Sequence, residues 1–105
     1  MAIKFKLKFS KEAVNDLDGL FEYISTELSA PQSAKNLMAK IEKKVENLKI
    51  QPFLYPPCLE SPLYELGYRK MVINNHVVIY DSNEENETVN IVRIFYGKQD
   101  YKRFF

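Results

Sequence analysis

Arg69, His76 and Arg93, with Tyr101 close behind, are the side chains of this chain best suited to chemistry. All four fall in one β-rich stretch, Tyr68 to Tyr101. Guanidinium groups grip phosphate through paired N–H donors, and an imidazole or phenol beside them can move a proton. That combination suits cleavage or binding of a phosphodiester. An Arg inside an apolar strand needs a reason, because a buried charge without a partner is strongly unfavourable. Two explanations stand side by side. Either Arg69 and Arg93 pair with carboxylates such as Glu65 or Asp100 and hold the C-terminal tail, or they lie on an open sheet face and bind phosphate. His76 taken alone is expected to be a satisfied structural imidazole. Lys98, Lys102 and Arg103 add exposed positive charge along the tail.

Other chemistries lack their residues. One Cys and one His cannot build a structural zinc site, and the three Gly are scattered, so no loop cradles a phosphate. Acidic residues fall mainly on outer helix positions and in one turn, and no Ser, His and Asp set stands out. Cys58 follows Pro56-Pro57 far from His76 in sequence, which makes it a passive buried thiol rather than a nucleophile. No cofactor or metal is expected. The formal net charge of +1 gives no bulk attraction to nucleic acid or membrane. No apolar run approaches the ~18 residues of a membrane span, and the N-terminus has no signal-peptide core. A lone Cys excludes an internal disulfide, so a cytoplasmic location is expected.

These residues need elements to position them. At 105 residues, 46% hydrophobic and 28% charged, the chain is expected to be one globular domain, residues 1–105. Ile3, Phe5, Leu7 and Phe9 alternate with Lys4, Lys6 and Lys8, the pattern of a half-buried strand whose lysines discourage pairing at its edge. Ser10 is placed to cap a helix. Val14, Leu17, Phe21, Ile24 and Leu28 give that helix an apolar stripe, and Gly19 suggests a close helix crossing. Ser29-Ala30-Pro31 ends it and starts a second helix reaching about Ile50. There Ala34, Leu37 or Met38, Ile41, Val45 and Leu48 are the buried stripe. Lys35, Lys40, Lys43, Lys44 and Lys49 make its other side a basic, solvated face. The two form an antiparallel hairpin.

Residues 51–67 hold four of the five prolines and read as an ordered loop crossing to the sheet. Three antiparallel strands follow: Tyr68 to Ile73, His76 to Asp81 and Val89 to Phe95. Asn74-Asn75 suits a two-residue hairpin turn. The His76 strand is apolar on both parities, which places it in the sheet interior with both faces covered. The expected class is α+β, with the helices on one face of a mostly antiparallel four-stranded sheet.

The order of these pieces resembles the RelE/ParE superfamily of toxins from bacterial type II toxin–antitoxin modules. The matching residues are Ala13 to Leu17 with Tyr23-Ile24, Ala34 with Ile41, and Leu48 with Pro52. They continue through Gly67-Tyr68-Arg69, His76 to Tyr80 and Val89 to Lys98. The resemblance implies a small cytoplasmic growth-arresting protein, neutralised by a cognate antitoxin in a hetero-oligomer. One branch cleaves mRNA in the ribosomal A site; the other poisons DNA gyrase without being a hydrolase.

This chain departs from the nuclease branch. Arg69 falls at one of that branch's cationic positions, but Met71 and Val77 stand where it carries Lys and Arg, and Gln99 stands where Arg is usual. Cleavage by 2′-OH attack needs cations to meet the charge developing on phosphate. The balance therefore favours a ParE-like, non-catalytic gyrase inhibitor that binds its target through Arg69, Arg93, Lys98, Lys102 and Arg103. The alternative is a RelE-like mRNA interferase using Arg69, His76, Arg93 and Tyr101, and a second alternative is an inactive interaction domain.

Overall fold

The structure is a computed structural model that describes residues 4–97 and 101–105, for Tyr101 and Lys102 the backbone alone. Strand β1 (Lys6–Phe9) leads into helix α1 (Lys11–Glu22), which runs on as a π-helical turn, Tyr23–Glu27. Helix α2 (Pro31–Asn47) follows, then β2 (Arg69–Ile73), β3 (His76–Asn83) and β4 (Thr88–Tyr96). A single 3-10 turn, Tyr101–Phe104, lies near the end. The helices pack against each other, and α1 packs against β4.

The local signals act as expected at the helix starts. Ser10 takes an extended conformation and its hydroxyl accepts from the Ala13 N–H, satisfying one of the amides that a first turn leaves unpaired. Pro31 opens α2 in the one place where its missing N–H is harmless. Asn74 carries the positive φ of 54° that turns β2 into β3.

The sheet order is β1-β4-β3-β2, antiparallel between β2, β3 and β4, with β1 parallel to β4. It is thus mixed, because the helical hairpin carries the chain from β1 across before β4 comes back beside it. β3 is covered on both faces, as its unbroken apolar sequence predicts. On the helix side Met71, Ile73, Val78, Tyr80, Ile91 and Ile94 pack with Phe5, Ala13, Leu37, Ile41, Val45 and Leu48. On the other side Val77, Ile79 and Phe95 pack with Cys58 and Leu63. The proline-rich loop therefore does more than cross to the sheet: it supplies the cover for the second face. Burying each large side chain of this kind contributes about 1.5–3 kcal/mol.

Pairing along β3 and β4 shifts at one point. Ile79 faces Arg93 while Tyr80 faces Ile91, leaving Val92 as an extra residue. This bulge explains how Ile91 and Ile94, three apart, both reach the helix-side core, where strict alternation would put them on opposite faces. It also sets Arg93 beside the end of β1, where β4 has no neighbouring strand.

Helix α1 corrects the sequence expectation. Ala13 is its only fully buried residue, with Leu17, Leu20 and Ile24 packed against the core, whereas Val14, Phe21 and Leu28 stay exposed. The reason is polar. Asp16 bonds to β4, and that contact turns the face containing residues 13, 16, 17 and 20 toward the sheet, leaving Val14 and Phe21 on the flank. Gly19 marks no close crossing, since a Cβ there would meet nothing within 4 Å. In α2 the buried stripe is as read, with Met38 at its margin.

Candidate functional site

The polar centre of the molecule sits where β4 outruns β1. Past Ile91 the outer edge of β4 would present bare backbone groups, which cost free energy when buried unpaired. The start of α1 covers them. The Ser10 amide donates to the Ile91 carbonyl at 2.9 Å and its hydroxyl donates to the Val92 carbonyl at 2.6 Å. Nearly two turns on, the Asp16 carboxylate accepts from the Ile94 N–H at 2.9 Å. The same carboxylate holds Arg93 through Nε at 2.8 Å and Nη2 at 3.0 Å, a two-pronged pair.

Arg93 is thus partnered, but by Asp16 and not by Glu65 or Asp100, the carboxylates expected from sequence. Glu65 instead accepts from the Ser61 hydroxyl, and Asp100 lies outside the described residues. The guanidinium also lies over the rings of Phe95 and Phe104, at 4.7 and 5.2 Å. Its pKa is raised by the hydrogen bonds it donates to Asp16, with burial opposing and the charges of Asp16 and Glu12 adding. The ion pair is mostly buried, 21% and 16% exposed, so water screens it only in part.

A cleft of about 320 Å³ opens over this pair. His76, Tyr96 and Phe104 line it from the sheet and tail, with Asp16, Gly19 and Tyr23 from α1 and its π-helical extension. An apolar hollow of about 500 Å³ adjoins it, sharing Leu20, Tyr23, His76 and Tyr96. His76 is buried against the Tyr96 ring, centroids 5.9 Å apart, and its Nδ1 has no hydrogen-bond partner. It is structural in position without being the satisfied imidazole expected. Burial pushes its pKa below the usual value; the Ile73 backbone, outside hydrogen-bonding geometry, offsets part of this.

Arg69 stands apart from that cleft. It pairs with Tyr80 in the sheet register, while His76 pairs with Ile73 at the turn end, four residues or about 13 Å along β3. Arg69 Nη1 donates to the Tyr55 carbonyl at 2.6 Å and its guanidinium lies 5.1 Å over the Phe53 ring. Across from it on β3, Tyr80 is fully buried with an unpartnered hydroxyl, and burial pushes that phenol up to about 12, the Tyr55 backbone and Arg69 pulling the other way. Cys58 is buried, and desolvation first, Glu60 second, raise its thiol pKa, in keeping with a passive role.

The structure therefore brings His76 and Arg93 together and leaves Arg69 elsewhere. Arg103 is exposed and lies over the Phe104 ring at 5.2 Å. Lys98, and the side chains of Tyr101 and Lys102, lie outside the described residues. Met71 and Val77, the positions where the nuclease branch carries cations, are core residues. Among the described residues no group of three His, Cys, Asp or Glu could hold a metal ion, and no helix is long and apolar enough to cross a membrane. In the sequence Asp16 reads as one of the outer acidic residues of the first helix. Its signal was its phase, among Ala13, Leu17 and Leu20.

A helical hairpin laid on a mixed four-stranded sheet, with an acidic residue of the first helix clamping an arginine of the last strand, defines an α+β fold. The family model described as ParE toxin of type II toxin–antitoxin system, parDE, matches residues 7–101, and the chain belongs to that family. Solved structures agree in fold. A protein of the chromosomal ParDE toxin–antitoxin system of P. aeruginosa superposes with a TM-score of 0.71 at 19% identity, covering 90% of this chain and 98% of that one. A chain of the RelBE2 toxin–antitoxin complex of Mycobacterium tuberculosis gives 0.64 at 19% identity, with 90% and 99% covered. A mutant of E. coli RelE in the free state gives 0.67 at 14% identity, with 99% and 93% covered. No curated protein sequence gives a significant match.

Proposed function

We propose that this toxin arrests bacterial growth by binding DNA gyrase, in the manner of a ParE-like inhibitor, and not by cutting RNA. The observation that carries the reading is the clamp on Arg93. Its charge is already met by Asp16 through two hydrogen bonds, so it is not free for a phosphate. RNA cleavage by 2′-OH attack needs cations available to the developing phosphate charge. Arg69 is held by the Tyr55 carbonyl away from the His76 cleft, and Met71 and Val77 are apolar core. The family match supports the same choice. In this reading Arg69 and Arg93 brace the surface, and the charged contact to the target is made by Arg103 together with Lys98 and Lys102, which precede it in sequence. A cognate antitoxin is the second partner, supported by the toxin–antitoxin complexes among the structural neighbours.

Supercoiling by purified gyrase tests the proposal. The chain should inhibit it or trap cleaved DNA, and no effect at stoichiometric excess refutes the reading. The second reading, a ribosome-dependent mRNA endonuclease, draws on the unpartnered His76 beside Arg93 in one cleft. Transcripts cut within translated codons, and spared by a folded Arg93→Lys variant, would establish it instead.

A further inference from the structure

A second concave surface lies away from the Arg93 clamp, along α2. A groove of about 650 Å³ is lined by Lys40, Lys43, Lys44, Asn47, Ile50 and Tyr55. Its charge is one-sided. Lys43 and Lys44 make no ion pair among the described residues, and Lys40 donates only to the Asn74 side chain, at 2.7 Å. The one carboxylate in the lining, Glu46, is taken by Lys49 at 2.6 Å. Residues 40, 43, 44 and 47 fall on one side of a helix, so three ammonium groups stand in a row about one turn long.

The other wall is apolar. Ile50 is 53% exposed, and the turn that follows it also exposes Phe53 and Leu54, while Tyr55 lines the groove itself. Uncovered aliphatic surface beside unpaired lysines suits a ligand that carries both carboxylates and apolar side chains. A nucleic acid would meet the lysines but leave Ile50 with no counterpart. An acidic, amphipathic protein segment meets both walls.

We propose that this groove is the seat of an acidic, amphipathic segment of the cognate antitoxin. The segment sets apolar side chains on Ile50 and Tyr55 and carboxylates against Lys40, Lys43 and Lys44. The inference rests on the antitoxin partner of the reading above and is independent of the gyrase target. It assigns a role to Lys43 and Lys44, which the core does not use, since the buried stripe of α2 is Ala34, Leu37, Ile41 and Val45.

Binding of the purified antitoxin encoded beside this chain, measured by calorimetry at two salt concentrations, tests it. The double variant K43E/K44E should bind about ten-fold more weakly or worse, with less dependence on salt, and K43Q/K44Q should fall between it and the parent. Thermal melts of the free variants confirm folding, since neither lysine is part of the core. Unchanged antitoxin affinity in K43E/K44E overturns the inference. So does unchanged antitoxin affinity together with loss of binding to a DNA oligonucleotide, which would give the groove to nucleic acid. Inhibition of gyrase by the free variants is read in parallel. If the parent leaves gyrase untouched while K43E/K44E loses the antitoxin, the target reading fails and the groove assignment stands.

Discussion

Replacing Asp16 by Ala should unfold this protein more readily than any single surface change, because three donors lose one acceptor. Arg93 Nε and Nη2 and the Ile94 amide all converge on that carboxylate, at 2.8, 3.0 and 2.9 Å. A hydrogen bond to a charged group contributes about 1.5–3 kcal/mol, and a buried N–H left without a partner costs about 1–3 kcal/mol. Arg93 is 21% exposed and keeps its stacking on Phe95 and Phe104, so part of its loss is recovered through water and the rings. The net cost of Asp16→Ala is then about 3 kcal/mol, which in a domain of this size lowers Tm by roughly 10–20 °C. Asp16→Asn keeps an acceptor oxygen and should lose about half as much. Arg93→Ala leaves the Asp16 bond to Ile94 in place, and a double-mutant cycle should give a coupling of about 1–2 kcal/mol. The pH dependence has a definite sign. Arg93 has a folded pKa raised above its ordinary value, so its share of the stability is full below that ordinary value and is lost only as pH rises through the folded pKa. The deficit in Asp16→Ala should therefore persist across the neutral range. The assay is thermal denaturation by circular dichroism alongside induced expression. A fall in Tm of less than about 3 °C for Asp16→Ala, with Arg93→Ala fully stable yet no longer toxic, would refute the reasoning and return Arg93 to the target-binding surface.

Two further outcomes follow from the buried titratable groups. His76 has a folded pKa below its ordinary 6.5, so its contribution is present above that pH and is lost as pH falls through it toward the folded value. Stability in urea should decline between neutral and mildly acidic pH, and His76→Gln should flatten that slope; a slope unchanged in the variant would count against burial as its cause. Tyr80→Phe removes a fully buried hydroxyl that has no partner, so denaturation should show a neutral effect or a gain of up to about 1 kcal/mol. A loss beyond that would mean the hydroxyl is hydrogen-bonded after all.

Much of this architecture was legible because its signals are local. Ser10, Pro31 and Asn74-Asn75 each act through their own backbone, so the two helices and the β2–β3 hairpin could be placed from sequence. The double-sided burial of β3 was equally readable, since Val77, Val78, Ile79 and Tyr80 leave no polar face. The site was less legible because its geometry depends on pairs far apart in the chain. Arg93 was a conspicuous charge in an apolar strand, but its partner lies 77 residues earlier, on a helix whose apolar stripe points to a different rotation. The bulge at Val92 is invisible in a run of β-branched residues, yet it decides which way Arg93 points. His76 looked satisfiable for the same reason: only the fold shows that its Nδ1 is enclosed without an acceptor or donor. The resemblance to the toxin superfamily bridged these gaps for the fold, where order and spacing of elements suffice, and not for the cleft.

The parallel pairing of β1 with β4 also sets a schedule. Lys6 to Phe9 leave the ribosome well before their partners, Thr88 to Ile91, are made. The sheet cannot close until those partners have emerged, and contacts so distant in sequence are slow to form because the long loop between them must first be ordered. The carboxylate of Asp16 waits for Arg93 in the same way. Until β4 is made this protein is therefore a helical hairpin without a finished sheet, and the Asp16–Arg93 cleft assembles only when β4 arrives.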